Sequence, residues 1–178
     1  YLLAQDINAG RISQSDLVLI SENAWSQNPI FTGSSLMWIE PGKDVSISDL
    51  QRGVIISSGN DATVAVAEHL AGSEPVFVEM MNTQAEKLGM VDTYYVNSHG
   101  LPHPEHLTTA RDLAILAVAM LSLAGIPPMV GFMAKFYLFS AVVRAGLVPL
   151  AVIGVINCKP VRKFVWLFRA SSRSVMST

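Results

Sequence analysis

Three small polar residues interrupt an apolar run in "VIISSGNDATVAVAEHLAG", Val54 to Gly72. Ser58 and Asn60 stand two residues apart, with Gly59 between them. A hydroxyl and a carboxamide at that spacing, on a turn between two apolar helices, can face one cavity. The hydroxyl then relays a proton, and the amide donates to a substrate carbonyl. The same tripeptide also makes an ordinary helix-to-helix turn. Gly59 then relieves the backbone, and Ser58 or Asn60 caps the next helix. The tripeptide alone does not separate the two readings.

The flanking sequence supplies the elements that must hold this turn. "YLLAQDINAG" reads as the last turns of a helix stopped by Gly10. "DLVLISENAW" is a strand candidate, and "SSLMWIEPGKDVSI" gives a short strand followed by a turn at Pro41–Gly42. Ser48 with Gln51 forms a capping box ahead of "DLQRGVIIS". The run after Asn60 has Asp61 in its first turn and Gly72 just past its end, as helix termini favour. "SEPVFVEMMNTQAEKLG" is a helix capped by Ser73, with Pro75 in its first turn and Gly89 at its end. Phe77, Met80, Met81 and Leu88 can share one face of it. "YYVNSHGLPHPEH" is loop-like, and Thr109 with Asp112 starts a further capped helix. Several helices with few, short strands make an α+β class: a helical lobe with a fragment of sheet.

Other residues with chemical potential have plainer readings. His99, His103 and His106 share a Pro-containing loop with Glu105. Their spacing is not that of a helical ligand pair, and no partner cluster lies elsewhere, so no metal site is expected. Trp25, Trp38 and the Met80–Met81 pair are expected in the core. Cys158 is the single cysteine, which excludes an internal disulfide.

Charge divides the chain. All 14 acidic residues lie at or before Asp112, with 5 of the 12 basic ones. From Leu113 onward there are 7 basic residues and no acid, so −9 is followed by +7 within a net charge of −2. The break predicts two segments of different character, with a boundary near residues 112–121. The chain starts on Tyr1, without a charged segment and cleavage site ahead of an apolar stretch. The expectation is that its natural start has been lost or processed away.

The segment from "GSSLMWIEPGKDVSISDLQRG" through "SGNDATVAVAEHLAGSEPVFVEMMNTQAEKLGM" to "NSHGL" and "TARDLA" resembles the low-molecular-weight penicillin-binding proteins. These are serine-type D-alanyl-D-alanine carboxypeptidases, and the likeness covers about the first 115 residues. It implies a partial penicillin-binding, β-lactamase-like fold, a helical lobe against an antiparallel sheet. It also implies a periplasmic enzyme that trims terminal D-alanine from peptidoglycan stem peptides, binds β-lactams and uses no metal or organic cofactor. Nucleic acid is not an expected partner. The family uses Ser-x-x-Lys, Ser-x-Asn and Lys-Thr-Gly motifs. Ser58-Gly59-Asn60 falls on the second. By that resemblance Ser58 passes a proton towards the leaving amine, Asn60 holds the substrate and the catalytic lysine, and Gly59 lies in the substrate site. The residues three before Lys43, Lys87, Lys135, Lys159 and Lys163 are Glu40, Gln84, Phe132, Ile156 and Pro160, and no lysine precedes Thr-Gly. The nucleophile and its base are therefore expected to be lost, leaving an inactive domain truncated at both ends.

The last third reads differently. Leu113 to Ala134 carries no charge, a length that suits a bilayer crossing, and Ala145 to Cys158 is a second uncharged run. Gly125, Pro127, Pro128 and Gly131 break the first run, a feature membrane helices tolerate better than soluble ones. Residues 113–158 are thus expected to meet membrane lipid as one or two apolar helices, against the inner membrane. "MLSLAGIPPMVGFMAKFYLFSAVVRAGLVPLAVIGVIN", Met120 to Asn157, is similar to the subunit N type of proton-pumping NADH–quinone oxidoreductase. That resemblance implies that Lys135 corresponds to a lysine of a proton path. A whole path needs many more membrane helices than this chain has. The expected organisation is a carboxypeptidase-like domain over 1–115, a transmembrane-like segment over 116–158 and a basic, disordered tail over 159–178. Three functional readings follow: an inactive carboxypeptidase domain, a piece of a proton-translocating subunit, or a non-catalytic, membrane-tethered peptidoglycan-binding module.

Overall fold

Ser46, two residues before Ser48, starts the helix that leads to the site. Its hydroxyl accepts the Asp49 N–H at 3.1 Å, and the helix runs Ile47–Ile56. Ser48 instead lies in the first turn, and its N–H donates to the Gln14 carbonyl. The correction has a simple cause. Ile47 is wholly buried as the first residue of that helix, with Ser46 as the cap ahead of it.

The computed structural model describes residues 1–125 together with Tyr137, Ser140 and Arg144. In chain order the elements are α1 (Leu2–Asn8), β1 (Leu17–Leu19), a 3-10 turn (Pro29–Phe31), β2 (Asp44–Ser46), α2 (Ile47–Ile56), α3 (Asn60–Ala71), α4 (Glu74–Leu88) and α5 (Ala110–Ala124). Two compact units divide at Ala117 and Val118, within α5. Of the second unit, only the end of α5, Gly125 and the three later residues are described.

In the first unit, α2 and α4 both pack on α3. The inner face of α3 is mostly small: Ala62, Val64, Ala65 and Ala67 are nearly or wholly buried. Small side chains let the neighbouring backbones approach closely. On α2, a Cβ at Gly53 would stand 3.2 Å from the Ala62 Cβ and closer still to the Met37 sulfur. Phe31, Ile47 and Leu50 complete the core with essentially no exposed surface. Each contributes about 1.5–3 kcal/mol of burial energy. Gly72 and Gly89 end α3 and α4 in the left-handed conformation, at φ of 79° and 77°.

The sheet among the described residues is a two-stranded fragment. β1 and β2 pair antiparallel over three residues, Leu17 with Ser46, Val18 with Val45 and Leu19 with Asp44. Val18 is buried, whereas Leu17 and Leu19 are 62% and 68% exposed. β1 stops because the chain after Ile20 turns towards α3. There Ser21 and Asn23 donate to the Glu68 carboxylate. The strand expected in "SSLMWIE" does not form. The Met37, Trp38 and Ile39 N–H groups all donate to Asp61, and Trp38 sits at φ 66°. Trp38 is 73% exposed, so it is no core residue. Among the described residues, no helix is long and apolar enough to cross a membrane. Most of the apolar segment expected to do so, and Lys135 with it, lies outside the described residues.

Loops are fastened to helix starts by acids. At α5, Asp112 is wholly buried and accepts from the Asp92 N–H at 3.0 Å and the Thr93 hydroxyl at 2.7 Å. At α4, Glu74 accepts from the Ser98 N–H and hydroxyl. Next to Ser98, the His99 side chain is 2% exposed, packs edge-on to Phe31 and takes the Leu101 N–H on Nδ1. Burial holds the His99 pKa below its ordinary value, with Glu74 partly opposing and His106 adding to the fall. The folded state therefore resists a proton that the unfolded state accepts. That contribution to stability is complete above the unfolded pKa of about 6.5 and declines as pH falls through it. Thermal midpoints measured between pH 7.5 and 5.5 are expected to fall more steeply for the unsubstituted chain than for His99→Gln. Equal slopes would contradict this.

Candidate functional site

The Ser58–Asn60 turn is built from the end of α2 and the start of α3. α2 closes at Ser57, whose N–H donates to the Gly53 carbonyl, and the Gly59 N–H donates to the same carbonyl at 3.0 Å. The chain then reverses through Ser58 at φ 51°, a left-handed conformation that costs a non-glycine residue about 1–2 kcal/mol. Such strain in a serine is the kind of outlier that marks functional turns. Ser58 is exposed, and its hydroxyl makes no hydrogen bond among the described residues.

Gly59 is the N-cap position of α3, and its carbonyl takes the Thr63 N–H and hydroxyl. Its φ is −70°, so it is needed for space rather than for conformation. A Cβ there would lie 2.9 Å from Asp61 Oδ1 and 3.0 Å from the Met37 nitrogen. Asn60 is the first residue of α3. Its backbone N–H and its side-chain Nδ2 both donate to the Ser35 carbonyl, at 3.0 and 3.2 Å. The carboxamide is therefore fixed in direction, with its oxygen left for another partner.

Beneath the turn lies a residue that the sequence marks only as a helix-dipole acid. Asp61 is wholly buried. Oδ1 accepts from the N–H groups of Met37 and Ala62, both at 2.8 Å, and Oδ2 accepts from Trp38 at 2.9 Å and Ile39 at 3.3 Å. Four backbone donors and the positive end of α3 compensate its charge. Its place directly after Asn60 was readable. Three of its four donors, 22 to 24 residues earlier, were not.

The structure thus sets a free hydroxyl, a close-packed glycine and an oriented carboxamide on one turn. Lys135, the remaining sequence candidate, lies outside the described residues. Of the loop histidines, His99 packs against Phe31 and His106 against Tyr95, while His103 is exposed. A cleft of about 270 Å³ between the Pro29–Phe31 turn and the start of α4 is lined by Asn28, Phe31, Glu68, Glu74 and His99. Neither Ser58 nor Asn60 reaches it.

Known proteins resemble the two ends of the chain separately. DacD of Escherichia coli strain K12, a D-alanyl-D-alanine carboxypeptidase, is 46% identical over 122 residues, 68% of this chain and 31% of DacD. The chain thus spans about a third of the length of such curated relatives. Penicillin binding protein 6B from Escherichia coli superposes with a TM-score of 0.66 at 42% identity, over 71% of this chain and 42% of that one. Penicillin binding protein 5 from Haemophilus influenzae gives 0.63 at 43%, over 66% of this chain and 33% of that one. These neighbours identify the fold as the penicillin-binding, β-lactamase-like one. Towards the other end, residues 107–158 match the membrane family of NADH:quinone oxidoreductase and Mrp antiporter subunits. There NADH-quinone oxidoreductase subunit N 1 of Acidiphilium cryptum is 62% identical over 43 residues, 24% of this chain and 9% of that protein. Residues 1–127, the whole Ser58–Asn60 turn among them, match the D-alanyl-D-alanine carboxypeptidase family, and to that family the chain belongs.

Proposed function

We propose that this chain carries the proton-relay corner of a serine-type D-alanyl-D-alanine carboxypeptidase of peptidoglycan metabolism, and that its 178 residues cannot complete the reaction alone. One observation carries the reading. The turn with a free Ser58 hydroxyl and an oriented Asn60 amide lies inside the family match, while the sequence holds neither Ser-x-x-Lys nor Lys-Thr-Gly. In the full reaction a serine oxygen attacks the carbonyl of the penultimate D-alanine. The new O–C bond forms, the C–N bond to the terminal D-alanine breaks, and the departing amine takes a proton. Ser58 supplies the route for that proton, and Asn60 holds the substrate amide. Gly59 lets the two stand on one tight turn.

The substrate is a stem peptide ending in D-alanyl-D-alanine, with a β-lactam as its mimic. The setting is the bacterial periplasm at the inner membrane, with residues 113–158 meeting lipid. Incubated with such a peptide, the chain is expected to release no D-alanine above the uncatalysed background. Release that disappears in Ser58→Ala would overturn the reading, because it would require a nucleophile within these residues.

The match over residues 107–158 supports a second reading for the far end, a piece of a proton-translocating membrane subunit with Lys135 on its proton path. Co-purification of the chain with quinone oxidoreductase subunits would support it, and failure to co-purify would remove it.

A further inference from the structure

We propose that Asp61 is the positioning residue of the Ser58–Asn60 corner, acting through Met37–Ile39 and the Ser35 carbonyl. The inference rests on the reading of that corner as a proton relay for its functional meaning, though not for its geometry. Asn60 takes its direction from one acceptor, the Ser35 carbonyl, which receives both its backbone N–H and its Nδ2. Ser35 belongs to no helix or strand. Two residues later begins the run of three consecutive N–H groups that donate to Asp61. Successive donors at Met37, Trp38 and Ile39 wrap one carboxylate, and this wrapping puts Trp38 in its left-handed conformation and turns its ring out to solvent. The loop is thus tied to the first turn of α3, the turn that Asn60 opens. Gly59 closes the arrangement, since the space where its Cβ would stand is taken by Asp61 Oδ1 and the Met37 nitrogen.

A neutral side chain does not reproduce the clamp. Asparagine keeps one acceptor oxygen and presents an NH2 to the other donors, so one half of the clamp becomes repulsive. The loop and the Ser35 carbonyl then loosen while the core beneath, Leu50 and Val64, stays packed. A residue that only adds stability acts otherwise: it lowers the unfolding midpoint and leaves the relative order of local openings unchanged.

Amide exchange in the 15N-labelled 178-residue chain, held in detergent micelles well below its unfolding midpoint, separates the two. In Asp61→Asn, exchange at Trp38, Ile39, Asn60 and the Asn60 side-chain amide is expected to accelerate on the order of tenfold or more relative to Leu50 and Val64. Asp61→Glu is expected not to restore the wild-type rates, because a longer arm cannot lie in the same space. Acceleration of all amides together, or of none, would overturn the proposal. Should Asp61→Asn fail to fold, the unsubstituted chain decides. Asn60, Trp38 and Ile39 are expected to share one opening free energy as urea is raised, and independent openings would overturn the proposal. These rates need no substrate, so they stand or fall apart from the D-alanine assay.

Discussion

Asp61→Ala is expected to lower the unfolding free energy by about 3 kcal/mol, among the larger effects of any single substitution in this chain. Four backbone donors lose their acceptor at once. A buried donor left unpaired costs about 1–3 kcal/mol. The four are not equal. Trp38 is 73% exposed as a residue, whereas Ile39 is 6% exposed and Ala62 wholly buried. The favourable placement of an anion at the start of α3 is lost as well, worth about 0.3–1 kcal/mol. The contrast is Asp49, an exposed acid in the first turn of α2 whose carboxylate, among the described residues, meets the Ser46 hydroxyl and Arg52 at 3.8 Å. Asp49→Ala is expected to cost under about 1 kcal/mol. Urea unfolding followed by circular dichroism measures both. A difference of less than about 1 kcal/mol between the two variants would refute the clamp as an energetic element.

Much of this architecture was readable because helix ends carry local signals. Gly72 and Gly89 end their helices in the left-handed conformation, and Thr109 accepts the Asp112 N–H at 3.2 Å where a cap was expected. Two of the readings that failed share one physical cause, a contact with a side chain far along the sequence. "SSLMWIE" alternates like a strand, yet its N–H groups serve Asp61 rather than a neighbouring strand. "DLVLISENAW" is cut short where Ser21 and Asn23 turn to Glu68. Trp38 has the side chain of a core residue, but it is 73% exposed at φ 66°, with its N–H on Asp61. The candidate site shows the same division. Ser58, Gly59 and Asn60 were legible as a tripeptide. The strain at Ser58, the Ser35 carbonyl that aims Asn60 and the acid beneath were not, since each depends on contacts between distant segments. Asp61 and Asp112 look alike in sequence, as acids in a first helical turn. Only the fold shows that both are buried and tie loops from elsewhere to the helix.

The second large effect concerns acylation. β-Lactams trap serine peptidases of this kind because the nucleophile opens the strained ring and stays esterified. A hydroxyl becomes such a nucleophile only when a neighbouring base withdraws its proton. Among the described residues, Ser58 has the hydroxyl but no base hydrogen-bonded to it. Its flanks are Ser57 and Gly59, and its hydroxyl meets neither a lysine nor a histidine among the described residues. Where a serine nucleophile and its base act as a unit, losing either costs on the order of 10⁶ in rate in a Ser-His-Asp peptidase. Residual reaction at Ser58 is therefore expected to be lost in the background. The turn itself is held by contacts among the described residues, with the Ser35 carbonyl on Asn60 and Gly59 packed against Asp61 and Met37. Intact-mass spectrometry of the full chain after prolonged exposure to benzylpenicillin reads this directly. The account predicts an unchanged mass, and a stable adduct of one penicilloyl group per chain would contradict it.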